Sequence, residues 1–82
     1  MKVQLRYFAS IRETLGVSSE TLDTQARDVK SLVLELLARS PAHAQALSAR
    51  SVRMAFNQNL CDGDTVLHDG CEVAFFPPVT GG

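Results

Sequence analysis

The residues best placed to do chemistry are the last six, Pro77-Pro78-Val79-Thr80-Gly81-Gly82. Proline gives no N–H to a sheet and holds its backbone extended, so the chain is expected to leave the folded body from Phe76 onward as a semi-rigid arm. Six extended residues reach roughly 20 Å. Glycine lacks Cβ, and a narrow tunnel admits such backbone most easily, so Gly81 and Gly82 suit insertion into another protein. The reactive group is then the Gly82 carboxylate. A carboxylate is a poor electrophile because it is negative and its leaving group is oxide. Joined to AMP it gains a good leaving group.

Other catalytic patterns are absent. The sequence contains no glycine-rich phosphate loop, no HExxH and no Ser/His/Asp set. His43 and His68 stand alone and read as surface or turn residues. Cys61 and Cys71 form no CxxC or zinc-ligand pattern and read as partly buried structural thiols. No metal site is expected. A net charge of −1 argues against nucleic-acid binding. All eight Lys and Arg residues lie between positions 2 and 53, whereas residues 54–82 carry Asp62, Asp64, Asp69 and Glu72 and no base. That acidic end is either a solvated face or is steered towards basic pockets on partners. No stretch approaches the roughly 20 apolar residues of a membrane span, and Lys2 is not followed by a signal-like apolar run. A cytosolic protein with reduced thiols is the simplest reading.

Eighty-two residues with 45% apolar content suffice for one domain with one core. Lys2–Phe8 alternates, with Val3, Leu5 and Tyr7 on one face, which predicts a half-buried strand. Ala9–Leu15 reads as a short helix, with Ser10 a candidate cap and Gly16 the stop. Ser18–Thr24 is a weak polar strand anchored by Leu22. Asp28 begins the best helix, where Val29, Leu32, Val33, Leu36 and Leu37 make one apolar stripe that should end near Ser40, before Pro41. Further helical turns are expected within 43–50. Ser51–Asn57 is a strand with Val52, Met54 and Phe56 inward, Asn57-Gln58-Asn59 a turn, and Leu60-Cys61 a very short strand. Asp62-Gly63 and Asp69-Gly70 mark turns, and Glu72–Phe76 is the last strand, with Val73 and Phe75 on one face and Ala74 and Phe76 on the other. This order predicts an α+β fold, a mixed sheet of four or five strands on one main helix.

The stretch Glu72-Val73-Ala74-Phe75-Phe76-Pro77-Pro78-Val79-Thr80-Gly81-Gly82 resembles the C-terminus of the small, sulfur-carrying subunits of molybdopterin synthase, and Val3–Glu13 is similar to that family's first strand and short helix. The resemblance implies a ubiquitin-like β-grasp over 1–76, with the first and last strands parallel at the sheet's centre, and a tail over 77–82. It implies that an E1-like adenylyltransferase activates Gly82 with ATP and that a sulfur donor enzyme completes the thiocarboxylate. It implies a large synthase subunit as partner, in a heterotetramer around a large-subunit dimer. There the tail would give sulfur to cyclic pyranopterin monophosphate to build the dithiolene that holds molybdenum. No cofactor bound to this chain is implied.

Combined with that topology, strand parity makes a further expectation. Phe8 and Phe76 fall on the outward face, where a solvated sheet normally carries polar groups. They should meet beside the root of the arm, joined by Leu60, as a docking patch continuous with Pro77, Pro78, Val79, Thr80 and Gly81. The same features also fit a sulfur carrier of thiamine thiazole synthesis, a ubiquitin-like modifier joined through Gly82 to lysines, or an interaction module with an inert tail.

Overall fold

The computed structural model describes residues 1–48 and 51–78. Eight elements follow in order: β1 (Lys2–Tyr7), α1 (Ala9–Leu15), β2 (Ser19–Asp23), α2 (Val29–Arg39), α3 (Pro41–Leu47), β3 (Arg53–Phe56), β4 (Asn59–Leu60) and β5 (Glu72–Phe76). The strands form one five-stranded sheet in the order β2-β1-β5-β3-β4. β1 and β5 are parallel at its centre, with Leu5 beside Val73 and Tyr7 beside Phe75, and the other neighbours are antiparallel. The expected mixed sheet has five strands, and the main helix α2 is accompanied by the short helices α1 and α3 in the two stretches where helical turns were expected.

The inner face carries Val3, Leu5, Tyr7, Val73 and Phe75, all buried against Val29, Leu32 and Leu36 of α2, Ile11 of α1 and Leu47 of α3. This is the alternation of the strands meeting the apolar stripe of the helix. Val33, Leu37, Val52, Met54 and Phe56 pack at the core's margin, only partly buried.

The N-terminus of α2 is well satisfied. Asp28 Oδ1 accepts from the Ser31 N–H at 2.8 Å. The Val29 and Lys30 N–H groups donate to the Thr65 and Gly63 carbonyls at 3.0 and 2.9 Å. The loop after β4 therefore closes the helix end, where free donors would otherwise be stranded. Ser40 ends α2 and caps α3, its Oγ accepting from the His43 N–H at 3.1 Å, with Pro41 in the first turn.

Three local expectations need correction. Ser10 does not cap α1, because Phe8 occupies the cap position and no side chain bonds there. The strand ladder runs on through the Phe8 N–H, which donates to the Phe75 carbonyl at 3.1 Å, and the chain then turns into the helix at Ala9 with φ 50°. Ser10 consequently lies inside the helix. The short fourth strand is Asn59–Leu60 and not Leu60-Cys61. Asn57 and Gln58 both adopt positive φ, which makes a two-residue hairpin turn, so Asn59 already pairs with Phe56. Finally, α3 begins at Pro41, two residues before the expected start, because Ser40 supplies its cap.

A polar clasp joins the edge strand to the helices. The buried Tyr7 hydroxyl donates to Glu20 Oε2 at 2.9 Å, and Arg39 donates to Glu20 Oε1 at 2.7 Å. His43 Nε2, buried and without a hydrogen-bond partner among the described residues, lies 3.7 Å from the same carboxylate. Burial opposes ionisation of Glu20, but the bonds from Tyr7 and Arg39 and the nearby positive charge outweigh it and hold this carboxyl below its ordinary value. Burial, then the Glu20 carboxylate, push the Tyr7 phenol well up.

Candidate functional site: an apolar sheet face at the root of the C-terminal arm

The outer face of the sheet is built by the residues between those that fill the core. Register aligns Arg6, Ala74, Ala55 and Leu60 in one row across β1, β5, β3 and β4. The next row towards the end of β5 holds Phe76 beside Arg53. Phe8 joins this row, since the Tyr7–Phe75 pairing continues one residue further along both parallel strands. Four strands at about 4.8 Å spacing make a face roughly 14 Å wide.

Its composition is unusual for a solvent-facing sheet. Phe8 is 42% exposed and Leu60 74% exposed. Phe76 is half-buried, whereas the small Ala74 and Ala55 at the centre are nearly covered by their larger neighbours. The Arg6 guanidinium sits over the Phe8 ring, 5.8 Å from its centroid, and 3.6 Å from Glu72. Arg53, Leu60, Phe76 and Pro78 line a shallow depression. On its other side the arm's root is seated: Pro77 and Pro78 border a groove with Ile11 and Thr14 of α1 and Ala46 of α3.

Phe8 and Phe76 share one row at the end of the sheet, and Leu60, Phe76 and Pro78 border the same depression. Val79, Thr80, Gly81 and Gly82 lie outside the described residues. Arg6 and Arg53 were missed as site residues. Parity already placed Arg6 with Phe8, and Arg53 lies between two inward residues, so both were recoverable once the outer face was read as a surface. They also change the charge reading. The C-terminal segment has no base of its own, but strand pairing sets two arginines beside it.

The cysteines sit as structural thiols do. Cys71 is in the core, and burial pushes the thiol of the half-buried Cys61 up despite a bond with Thr65. Among the described residues no cluster of His, Cys, Asp or Glu could hold a metal ion, and no helix is long and apolar enough to cross a membrane.

The profile of the ThiS family matches residues 5–82. The molybdopterin synthase sulfur carrier subunit of Escherichia coli (strain K12) is 39% identical over 80 residues, 98% of this chain and 99% of that protein. The chain belongs to the ThiS family, among the molybdopterin synthase sulfur carrier subunits. Its fold matches the small subunit in a Helicobacter pylori 26695 structure described as a complex of subunits 1 and 2 of molybdopterin-converting factor. That match has a TM-score of 0.73 at 30% identity and covers all of both chains. SAMP1 from Haloferax volcanii superposes with a TM-score of 0.80 over the whole of both chains, at 21% identity, a likeness of ubiquitin-like fold.

Proposed function

We propose that this sulfur carrier works through the Gly82 carboxylate. An E1-like adenylyltransferase joins the carboxylate to AMP at the expense of ATP, releasing pyrophosphate, and a sulfur donor enzyme replaces AMP to leave a thiocarboxylate. The arm then enters the large synthase subunit and gives its sulfur to cyclic pyranopterin monophosphate, two such transfers completing the dithiolene. The side chains that handle the pterin belong to the large subunit, and the reaction takes place in the cytoplasm. This chain supplies the acyl group, the arm and the docking face.

The observation that carries the reading is the outer-face row of exposed Phe8 and half-buried Phe76, with exposed Leu60 beside it, at the root of an arm that begins Pro77-Pro78. A protein exposing an apolar patch around a reactive tail has the geometry for docking first and inserting second. The Helicobacter pylori complex of subunits 1 and 2 supports a large-subunit partner.

Intact-mass measurement after incubation with ATP, the activating enzyme and a sulfur donor tests it. The expected product gains the mass of one oxygen exchanged for one sulfur, located on the C-terminal peptide. Removing Gly82, or adding one residue after it, is expected to abolish this change while leaving the thermal melt unaltered. Full sulfur transfer by the extended chain would refute the assignment. High-mass conjugates would mark a protein modifier, and co-purification with a thiazole synthase would move the carrier to thiamine synthesis.

A further inference from the structure

Two cations frame the apolar face. Arg6 stands beside Ala74 and Arg53 beside Phe76, on strands that flank β5. Two strand spacings crossed with two residues along the strand put their Cα atoms roughly 12 Å apart, on a diagonal across the patch. Both are exposed. The Arg6 guanidinium is steadied over the Phe8 ring, and its one carboxylate contact among the described residues, to Glu72, is long at 3.6 Å. Most of its five N–H donors therefore remain available. Arg53 makes no ion pair among the described residues. Its side chain borders the depression that Leu60, Phe76 and Pro78 line. Asp62 reaches the adjoining depression, where its Oδ1 already accepts from the Asp64 N–H at 3.0 Å.

A guanidinium that a docked partner covers must find an acceptor or be left desolvated and unpaired, which is costly. Arginine meets a carboxylate with two parallel bonds, so the pairing is both strong and directional. We infer that the protein surface docking on this face carries carboxylates opposite Arg6 and Arg53 around an apolar centre, and that these pairs set the rate and selectivity of docking. The inference rests on the docking role proposed above. Aromatic residues at the centre govern how long the complex lasts, whereas charges at the rim act on encounter and on rejection of wrong partners. Single-stranded RNA is the other class that aromatics and arginines on a sheet can hold. The net charge of −1 and Glu72 on the same face disfavour it.

Association and dissociation rates with the large synthase subunit of the same organism, measured by stopped-flow fluorescence, test the inference. Arg6→Glu and Arg53→Glu together are expected to slow association about tenfold near 50 mM salt. The difference should shrink to less than about twofold near 0.5 M, as screening removes steering. Phe76→Ala should instead speed dissociation at both salt concentrations. Parent-like association by the double arginine variant, or slowing that is independent of salt, overturns the inference while a Phe76→Ala defect leaves the docking role standing. If neither set of substitutions alters binding, the docking role itself falls. Saturable binding of a labelled single-stranded RNA oligonucleotide, lost in the arginine variant, would also overturn it.

Discussion

Phe75 and Phe76 are neighbours in sequence, and replacing each by alanine removes the same atoms, yet the fold assigns them opposite fates. Phe75 is fully buried, stacked on Tyr7 with ring centroids 6.0 Å apart and paired in register with Met54. Phe76 is half-buried on the outer face, beside Arg53. Truncating a buried phenylalanine costs about 3–5 kcal/mol, and loss of the stacked partner puts Phe75→Ala towards the upper end. For Phe76, whose side chain stays partly in water on the outer face, only about 1–2 kcal/mol of transfer energy is at stake. A chain of 82 residues has a total stability of roughly 4–12 kcal/mol. Each kcal/mol shifts the melting temperature of such a domain by about 4–8 °C. Thermal melts followed by circular dichroism should therefore show Phe75→Ala lowered by at least about 15 °C, or unfolded outright, and Phe76→Ala lowered by less than about half as much. Equal losses would refute the parity reasoning, and with it the assignment of Phe76 to a docking face.

Those fates were legible in the sequence because burial leaves a period. The alternation Val3-Leu5-Tyr7 and the stripe Val29-Leu32-Leu36 each point at one core, and only one packing of strand on helix satisfies both. Phe8 and Phe76 were legible as exceptions, aromatics at positions where parity called for polar groups. What escaped was either strained or non-local. Alanine rarely adopts positive φ, so nothing in Ala9 announced the turn that sends β1 straight into α1 and moves the cap to Phe8. Asn57-Gln58 lacks the glycine that usually betrays a two-residue hairpin, which hid the true start of β4. The arginine pair depends on the register of three strands, β1, β5 and β3, that are not adjacent in the chain.

Two further predictions follow from local chemistry. Glu20 is held below its ordinary value of 4.5, so the unfolded chain takes up this proton first as pH falls. The clasp therefore adds stability above that range and loses it towards pH 3. Glu20→Gln, which still accepts from Tyr7, should flatten the fall of melting temperature between about pH 5 and pH 3, whereas parallel curves for variant and parent would exclude the clasp from acid lability. The second concerns Ala9, which opens α1 with φ 50°. An L-residue in that region costs roughly 1–2 kcal/mol, from which glycine is exempt. In an ordinary helix the change to glycine loses up to about 1 kcal/mol, but at the first helical position little of that penalty applies. Ala9→Gly is thus expected to stabilise the domain by about 0.5–1 kcal/mol, raising the melting temperature by a few degrees, because relief of the turn outweighs the entropy glycine adds to the unfolded chain. A loss of about 1 kcal/mol in the same melt, the usual result for a helical alanine, would show that the turn at Ala9 is not strained.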